Sequence, residues 1–288
     1  MSRKKYKNET AEKAIEVGKA LLTLFLVFLS YYVVQGFLGW AIEAADLNIS
    51  TSVKLIISAL IWFGAVVISA LARKKNPLEE NRFIIKKDKK QLWILPLCGV
   101  LAFCLGVAMN YLVGFLVDIL PVPEKWIQAN QESVTTLYDH GAPIAVFVAL
   151  YVLVPIAEEM IFRGKGYAAV EKSCGTAVAV VMTSLLFAVA HGNILQGIYA
   201  FAAALVFSLI IARSGSLLTG IFAHAGFNIS GPLLMAMFKS ADEVYVTVGC
   251  FAVTAIALFG ILAAGSLTDN EPEEETEDDE FSGYDSLD

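Results

Sequence analysis

The chain has 288 residues, of which 57% are hydrophobic and only 17% are charged, and its mean hydropathy is +0.65. A soluble domain is about 45–50% apolar and about 25% charged, so this composition excludes one. The formal net charge of −7 combines two unlike parts, because residues 267–288 hold eleven acidic and no basic residues. The other 17 acidic residues stand against 21 basic ones, which leaves +4. The sequence therefore predicts a basic membrane-embedded body and an acidic tail.

Stretches without Asp, Glu, Lys or Arg locate the membrane spans, since each span needs about 20 mostly apolar residues. Eight transmembrane helices are predicted in this way. They fall at 20–42, 55–72, 91–117, 141–157 with a continuation beyond it, two within 173–212 that divide near 191–193, 214–238 and 244–268. We therefore predict an all-α polytopic membrane protein. Its parts are an N-terminal three-helix region (1–140) with the basic loop, a membrane core with the last helix (141–266) and a disordered acidic tail (267–288).

Lysine and arginine predict the orientation of these helices, because they accumulate in cytoplasmic loops. The N-terminal segment to Lys19 has six of them and the segment 73–90 has eight. With both segments in the cytoplasm, 18 basic residues lie on or toward that side and three lie on the other. Both termini are then cytoplasmic, and the cell membrane is the expected location. We expect the basic loop 73–90 to rest on anionic lipid headgroups, and we expect no nucleic-acid partner.

The segment 121–140 is predicted to be a polar outer loop, with Trp126 and Tyr138 suited to the membrane interface and His140 in solvent. The four cysteines lie in apolar stretches without CxxC spacing. This spacing argues against a disulfide framework or a thiolate zinc site. We expect all four to be small buried hydrophobic residues.

Ionisable groups within membrane spans are costly, and they usually face the protein interior or a water-filled cavity. Three motifs place such groups in the predicted helices: Glu158 and Glu159 followed by Arg163, Phe187 followed by His191, and His224 followed by Asn228.

Helical spacing assigns a part to most of these side chains. Glu159 and Arg163 are four residues apart on one helix face, and we expect them to pair. Glu158 is rotated by about 100° from that face, which leaves its carboxylate available for chemistry. His224 and Asn228 also share a face, from which an imidazole and a carboxamide can stabilise a forming oxyanion.

The helical rise predicts the depth of three of these groups. Glu158 lies roughly 21 Å before a turn near Lys172, His191 roughly 28 Å after it, and His224 roughly 15 Å beyond the turn near Arg213. We expect the three to line one cavity that opens to the cytoplasm. A purely structural alternative, in which these groups only form hydrogen bonds between helices, stays open at this point.

The three motifs, in this order and inside hydrophobic helices over about 141–238, resemble the CAAX protease and bacteriocin-processing (CPBP, or Abi) family of intramembrane proteases. The resemblance, which is to the type 2 CAAX prenyl protease kind, implies an eight-helix membrane endopeptidase. Its substrate would be a membrane-associated polypeptide, which in some relatives is a prenylated CAAX protein.

The resemblance also implies roles for individual residues. Glu158 and His191 would activate the attacking water. His224 and Asn228 would stabilise the tetrahedral oxyanion. Glu159, Arg163 and Phe187 would support the site.

Metal dependence and function class each leave an alternative open. Members of the family are often labelled metalloproteases, and Glu158, His191 and His224 match the donor types of a catalytic zinc site. The chain has no His-Glu-x-x-His motif, and a His224 that bound zinc could not also donate a hydrogen bond to the oxyanion. For these two reasons we favour a metal-free mechanism. The alternatives to a protease are a non-enzymatic immunity or scaffold protein that recruits partners through the acidic tail, and a proton-conducting transporter.

Overall fold

The computed structural model describes residues 3–76, 93–138, 143–237 and 243–263. In chain order the helices are α1 (Arg3–Ala44), α2 (Thr51–Ala72), α3 (Ile94–Ile119), α4 (Glu124–Tyr138), α5 (Pro143–Cys174), α6 (Thr176–Ala190), α7 (Ile194–Ser214), α8 (Leu217–Met237) and α9 (Glu243–Ala263). No strand occurs within these four ranges, and the all-α polytopic class is confirmed.

Helices occupy all eight positions that the charge-free stretches predict. Five of them (α1, α2, α3, α5 and α7) are long and apolar enough to cross a membrane, and α6 is apolar but has only 15 residues. The remaining two, α8 and α9, have 21 residues each. Residues 77–90 of the basic loop, His140, the boundary at 140/141 and the acidic tail lie outside the described residues.

The predicted outer loop 121–140 is largely a helix, α4, which corrects the prediction for this segment. Helix α4 begins after Pro123, whose carbonyl accepts a 2.8 Å hydrogen bond from the Trp126 amide. It packs against α2, α5 and α7. A search for charge-free stretches cannot detect a polar, amphipathic helix of this kind.

Helix α5 is not a regular α-helix, because two π-helical segments interrupt it, at Ala149–Leu153 and Met160–Tyr167. Segments with i→i+5 hydrogen bonds are rare and often occur at functional sites. Pro155 follows the first segment and has no N–H to donate to the preceding turn. The residues between and within these two segments include the acidic pair and Arg163.

Helix α8, which carries the third motif, lies against α3 at backbone contact distance. A Cβ atom placed on Gly226 would overlap the Gly99 carbonyl oxygen and would lie 2.7 Å from the Gly99 carbonyl carbon. One placed on Gly106 would lie 2.8 Å from the Ser230 Cβ. Small residues permit such close approach between membrane helices. The N-terminal region therefore fixes the position of a helix of the candidate site.

The bundle has two ends, which we name for use below. The α4 end holds α4 and the connections α1–α2, α6–α7 and α8–α9. The basic end holds the connections α2–α3, α5–α6 and α7–α8. At the basic end the interior is filled by two clusters of buried apolar side chains, one around Tyr167 and Val170 and one around Met160 and Ile211.

Candidate active site

Arg163 and Glu159 form a buried ion pair at the centre of the bundle. Nη1 of Arg163 donates to Glu159 Oε1 at 3.0 Å, and neither side chain has any exposed surface. The guanidinium also donates to Ser208 Oγ at 3.3 Å and to the Ala204 carbonyl at 3.4 Å. The i,i+4 pair expected from the spacing therefore forms, and because Ser208 and Ala204 belong to α7, it also ties α5 to α7.

Glu159 also contacts His224 on α8. The His224 Nδ1 atom lies 3.0 Å from Glu159 Oε1, and since an ionised carboxylate only accepts, Nδ1 carries the hydrogen. The other ring nitrogen, Nε2, lies 3.7 Å from Glu158 Oε2. Both glutamates of the pair therefore reach the same buried imidazole, which the spacing alone did not predict.

Tyr31 on α1 is a residue of the site that the sequence analysis missed. Its hydroxyl donates to Glu158 Oε1 at 3.1 Å, and its ring packs against Phe162 with centroids 5.7 Å apart. The two carboxylate oxygens of Glu158 thus face different partners, Tyr31 and His224. No sequence signal marks Tyr31, because an aromatic residue in an apolar span usually faces lipid or core.

His191 caps the C-terminal end of α6 and presents one nitrogen as a base. Its Nδ1 lies 2.8 Å from the Phe187 carbonyl oxygen, one turn earlier. A carbonyl oxygen only accepts, so Nδ1 donates and the lone pair of the neutral ring is at Nε2.

Phe187 lies between the charged and polar groups of the site. Its ring centroid is 4.8 Å from that of His191 and 5.6 Å from that of His224. The Arg163 Cζ atom lies 4.5 Å above the same ring, a cation–π geometry. Phe187 is only 2% exposed, so its buried ring packs against both imidazoles and the Arg163 guanidinium without adding a polar group.

Asn228 has a contact that the resemblance did not imply. Its amide nitrogen donates to the Leu150 carbonyl at 2.9 Å. In the π-helical segment each carbonyl accepts from the amide five residues later, and the Ala149 carbonyl accepts from the Val154 amide. The corresponding donor for the Leu150 carbonyl would be residue 155, which is a proline and has no N–H. Asn228 therefore satisfies a carbonyl that the proline leaves without a backbone donor, and its second amide hydrogen is left for another acceptor.

A cavity of about 580 Å³ connects these side chains. Its wall includes Tyr31 together with Glu158, His191, His224 and Asn228. The volume is within the range of about 300–1,000 Å³ typical of ligand sites. The structure thus brings the four predicted catalytic side chains to one cavity, while the pair of Glu159 and Arg163 lies behind its wall.

The cavity opens toward the α4 end. Val134 of α4 contributes to its wall, as do Leu55 near the start of α2 and Gln196 near the start of α7. In the described part of the chain, no residue of the clusters at the basic end lines it. A cavity open to the cytoplasm is therefore incompatible with a cytoplasmic basic end. Helical rise predicts how deep a residue lies, whereas the packing around it decides from which end water enters.

The three proposed zinc ligands do not form a metal site in the observed geometry. In the four described ranges, no three His, Cys, Asp or Glu side chains lie close enough together to hold a metal ion. His224 uses Nδ1 for Glu159, and its Nε2 faces Glu158 without a third donor beside them.

Comparison with known proteins identifies the segment that carries these residues. Residues 140–230 match the family model described as type II CAAX prenyl endopeptidase Rce1-like. No curated protein and no solved structure matches the chain. The matched segment includes all three motifs, from Glu158 to Asn228, and it excludes Tyr31 on α1. The match confirms the family predicted from the motifs, and it indicates that residues 140–230 form a peptidase domain of this Rce1-like kind within a multi-pass membrane protein.

Proposed function

We propose that the protein is an intramembrane endopeptidase that hydrolyses a peptide bond of a membrane-associated polypeptide by direct attack of water. The observation that carries this proposal is the meeting of a carboxylate, two imidazoles and a carboxamide in one open cavity inside an apolar bundle. Peptide hydrolysis needs a base, a second proton carrier and an oxyanion donor. The match to a peptidase family supports the same reaction class.

Glu158 is the proposed base. It takes a proton from water as the water oxygen bonds to the scissile carbonyl carbon, and the proton passes to the amine nitrogen as the C–N bond breaks. The hydrogen bond from Tyr31 to Oε1 and the position of His224 opposite Oε2 support this role, because they restrain the carboxylate from two sides. His191 is the proposed second proton carrier, since its Nδ1 is engaged and its Nε2 has the lone pair.

His224 and Asn228 are the proposed oxyanion donors. While Nδ1 of His224 donates to Glu159, the ring has a hydrogen on Nε2 only as an imidazolium. The proposal therefore requires a protonated His224 at the moment of attack. Asn228 contributes the amide hydrogen that Leu150 does not use. Loss of one donor of this type typically lowers kcat by about 10²–10³-fold.

We favour a mechanism without a metal, and chelation tests it. A zinc mechanism would use Glu158, His191 and His224 as ligands, and it would remove His224 from the oxyanion role. Full activity of the purified protein after rigorous chelation supports the metal-free mechanism. Loss of activity that returns on addition of zinc contradicts it.

Comparison of protein termini in membranes from wild-type and Glu158→Gln cells tests the proposed function without assuming a substrate. We expect at least one membrane polypeptide whose new terminus is present only with the wild-type protein. Identical termini in the two membranes would contradict a protease. If deletion of residues 269–288 removed the cellular function while Glu158→Gln kept it, recruitment through the acidic tail would replace the protease proposal. For the lipid partner we propose anionic headgroups at the basic loop 73–90.

A further inference from the structure

The two ends of the bundle differ strongly in charge. The N-terminal segment and the segment 73–90 together contain 14 of the 21 lysine and arginine residues, and four more lie toward the same end on α5 and α7: Arg163, Lys165, Lys172 and Arg213. Lys54, Lys125 and Lys239 are the three on the side of the α4 end. Basic residues in short loops near the ends of spans determine membrane orientation. The basic end is therefore the cytoplasmic end.

The path from the candidate site leads to the opposite end. Val134 on α4 and Gln196 in the first turn of α7 line the cavity on the side of the α4 end, and Glu158 and His224, near the middle of their helices, line it farther from that end. Val134 comes from a helix that lies wholly at the α4 end.

The bundle is closed between the site and the cytoplasmic end. Arg163, Tyr167 and Val170 follow Glu158 along α5, and each is at most 2% exposed. Ile211 and Leu217, at the turn between α7 and α8, are each 1% exposed. A polypeptide that entered from the cytoplasm would have to displace this core and the buried ion pair within it.

We infer that the site takes its substrate from the face of the membrane opposite the cytoplasm. The substrate class is then an exported or membrane-inserted polypeptide with its cleavable segment on that face, and not the prenylated C-terminus of a cytoplasmic protein. A prenyl chain attached in the cytoplasm holds its protein at the cytoplasmic leaflet. The inferred substrate class rests on the proposed function, whereas the side on which the cavity opens can be tested without any catalytic activity.

The wall of the cavity suits an extended, mostly apolar peptide segment. Met109, Tyr199 and Phe227 provide apolar and aromatic surface, and Gln196 and Asn228 provide amide groups. In the described part of the chain, the lining includes no lysine or arginine that would bind a free terminal carboxylate. This lining favours cleavage within a chain over recognition of a charged C-terminus.

Thiol labelling of intact cells tests the side on which the cavity opens. Three single substitutions are compared in the full chain: Gln196→Cys inside the cavity, Gln128→Cys on α4, and Lys75→Cys just beyond α2 at the basic end. The reagent is a cationic methanethiosulfonate that does not cross membranes. The unsubstituted chain is the blank, because its four cysteines are buried or half-buried.

We expect labelling of Gln196→Cys and Gln128→Cys in intact cells, and labelling of Lys75→Cys only after permeabilisation. Two results would overturn the inference. In the first, Lys75→Cys is labelled in intact cells. In the second, Gln196→Cys is labelled only after permeabilisation while Gln128→Cys is labelled before it.

Sealed vesicles of both orientations test the substrate side. The probe is an extended, mostly apolar peptide without a prenyl group, and a sulfonated fluorophore on it keeps it on the side of addition. We expect cleavage with right-side-out vesicles, and none with inside-out vesicles until detergent is added. Cleavage by inside-out vesicles alone contradicts the inference. If detergent-opened wild-type vesicles do not cleave the probe, the inferred substrate class is contradicted, while the labelling result still decides the side.

Discussion

Substitution of Gly226 by alanine measures how far the site depends on the contact between α3 and α8. The new Cβ would overlap the Gly99 carbonyl oxygen and would lie 2.7 Å from its carbon and 2.9 Å from the Gly99 Cα. These are backbone atoms, so no side chain can rotate away and the helices must separate. Overpacking of this kind typically costs about 1–3 kcal/mol. A shift of about 1 Å at His224, two residues away, is enough for a loss of about 10²-fold in rate.

Gly114→Ala on α3 is the matched control, because a Cβ there meets no atom within 4 Å. Alanine is the better helix former by about 1 kcal/mol in soluble helices. We expect Gly114→Ala to keep the thermal stability and activity of the wild type, and Gly226→Ala to lower both, in detergent-purified protein. A Gly226→Ala protein with wild-type melting temperature and kcat/KM would refute the view that α3 fixes the catalytic helix.

Three further substitutions separate roles within the site. Tyr31→Phe should lower kcat about tenfold or more at unchanged KM, because a hydrogen bond to a charged group contributes about 1.5–3 kcal/mol. The control Tyr32→Phe, which removes only the hydrogen bond from the neighbouring tyrosine to the Val189 carbonyl on α6, should leave kcat unchanged. Asn228→Ala should lower both the melting temperature and the rate. Adding Pro155→Ala to Asn228→Ala should restore only the melting temperature, since residue 155 then has an N–H that can bond the Leu150 carbonyl. Failure to restore the melting temperature would contradict the role of Asn228 as the donor to that carbonyl. Arg163→Met should destabilise the fold by about 3–5 kcal/mol, seen as early thermal unfolding, because it leaves a buried carboxylate without its cation.

The sequence predicts the helices and motifs well because both depend on local properties. An apolar run long enough to span a bilayer is visible along the chain, and all eight predicted positions hold helices. The contact of Glu159 with Arg163 follows from i,i+4 spacing within one helix. Pro155 is also a local signal, which marks the helix turn where a carbonyl lacks its donor.

The features that were missed depend on packing between distant segments. Tyr31 is 127 positions from Glu158, and an aromatic residue in an apolar helix has no pattern that indicates its partner. The same holds for His224 between the two glutamates, which arises from the approach of α8 to α5. The end at which the cavity opens depends on how the side chains near Tyr167 fill the bundle, and helical rise contains no information about that packing.

The most direct test of the central claim is the rate at which purified wild-type and Glu158→Gln proteins hydrolyse the apolar fluorescent peptide in detergent, where both faces of the protein are accessible. Glu158→Gln keeps the shape of the side chain and can still accept from the Tyr31 hydroxyl, so its melting temperature should stay close to that of the wild type. The account predicts a rate lower by about 10²–10⁴-fold, the usual contribution of a general base. Hydrolysis by Glu158→Gln at the wild-type rate would contradict the assignment of Glu158 as the base that activates water.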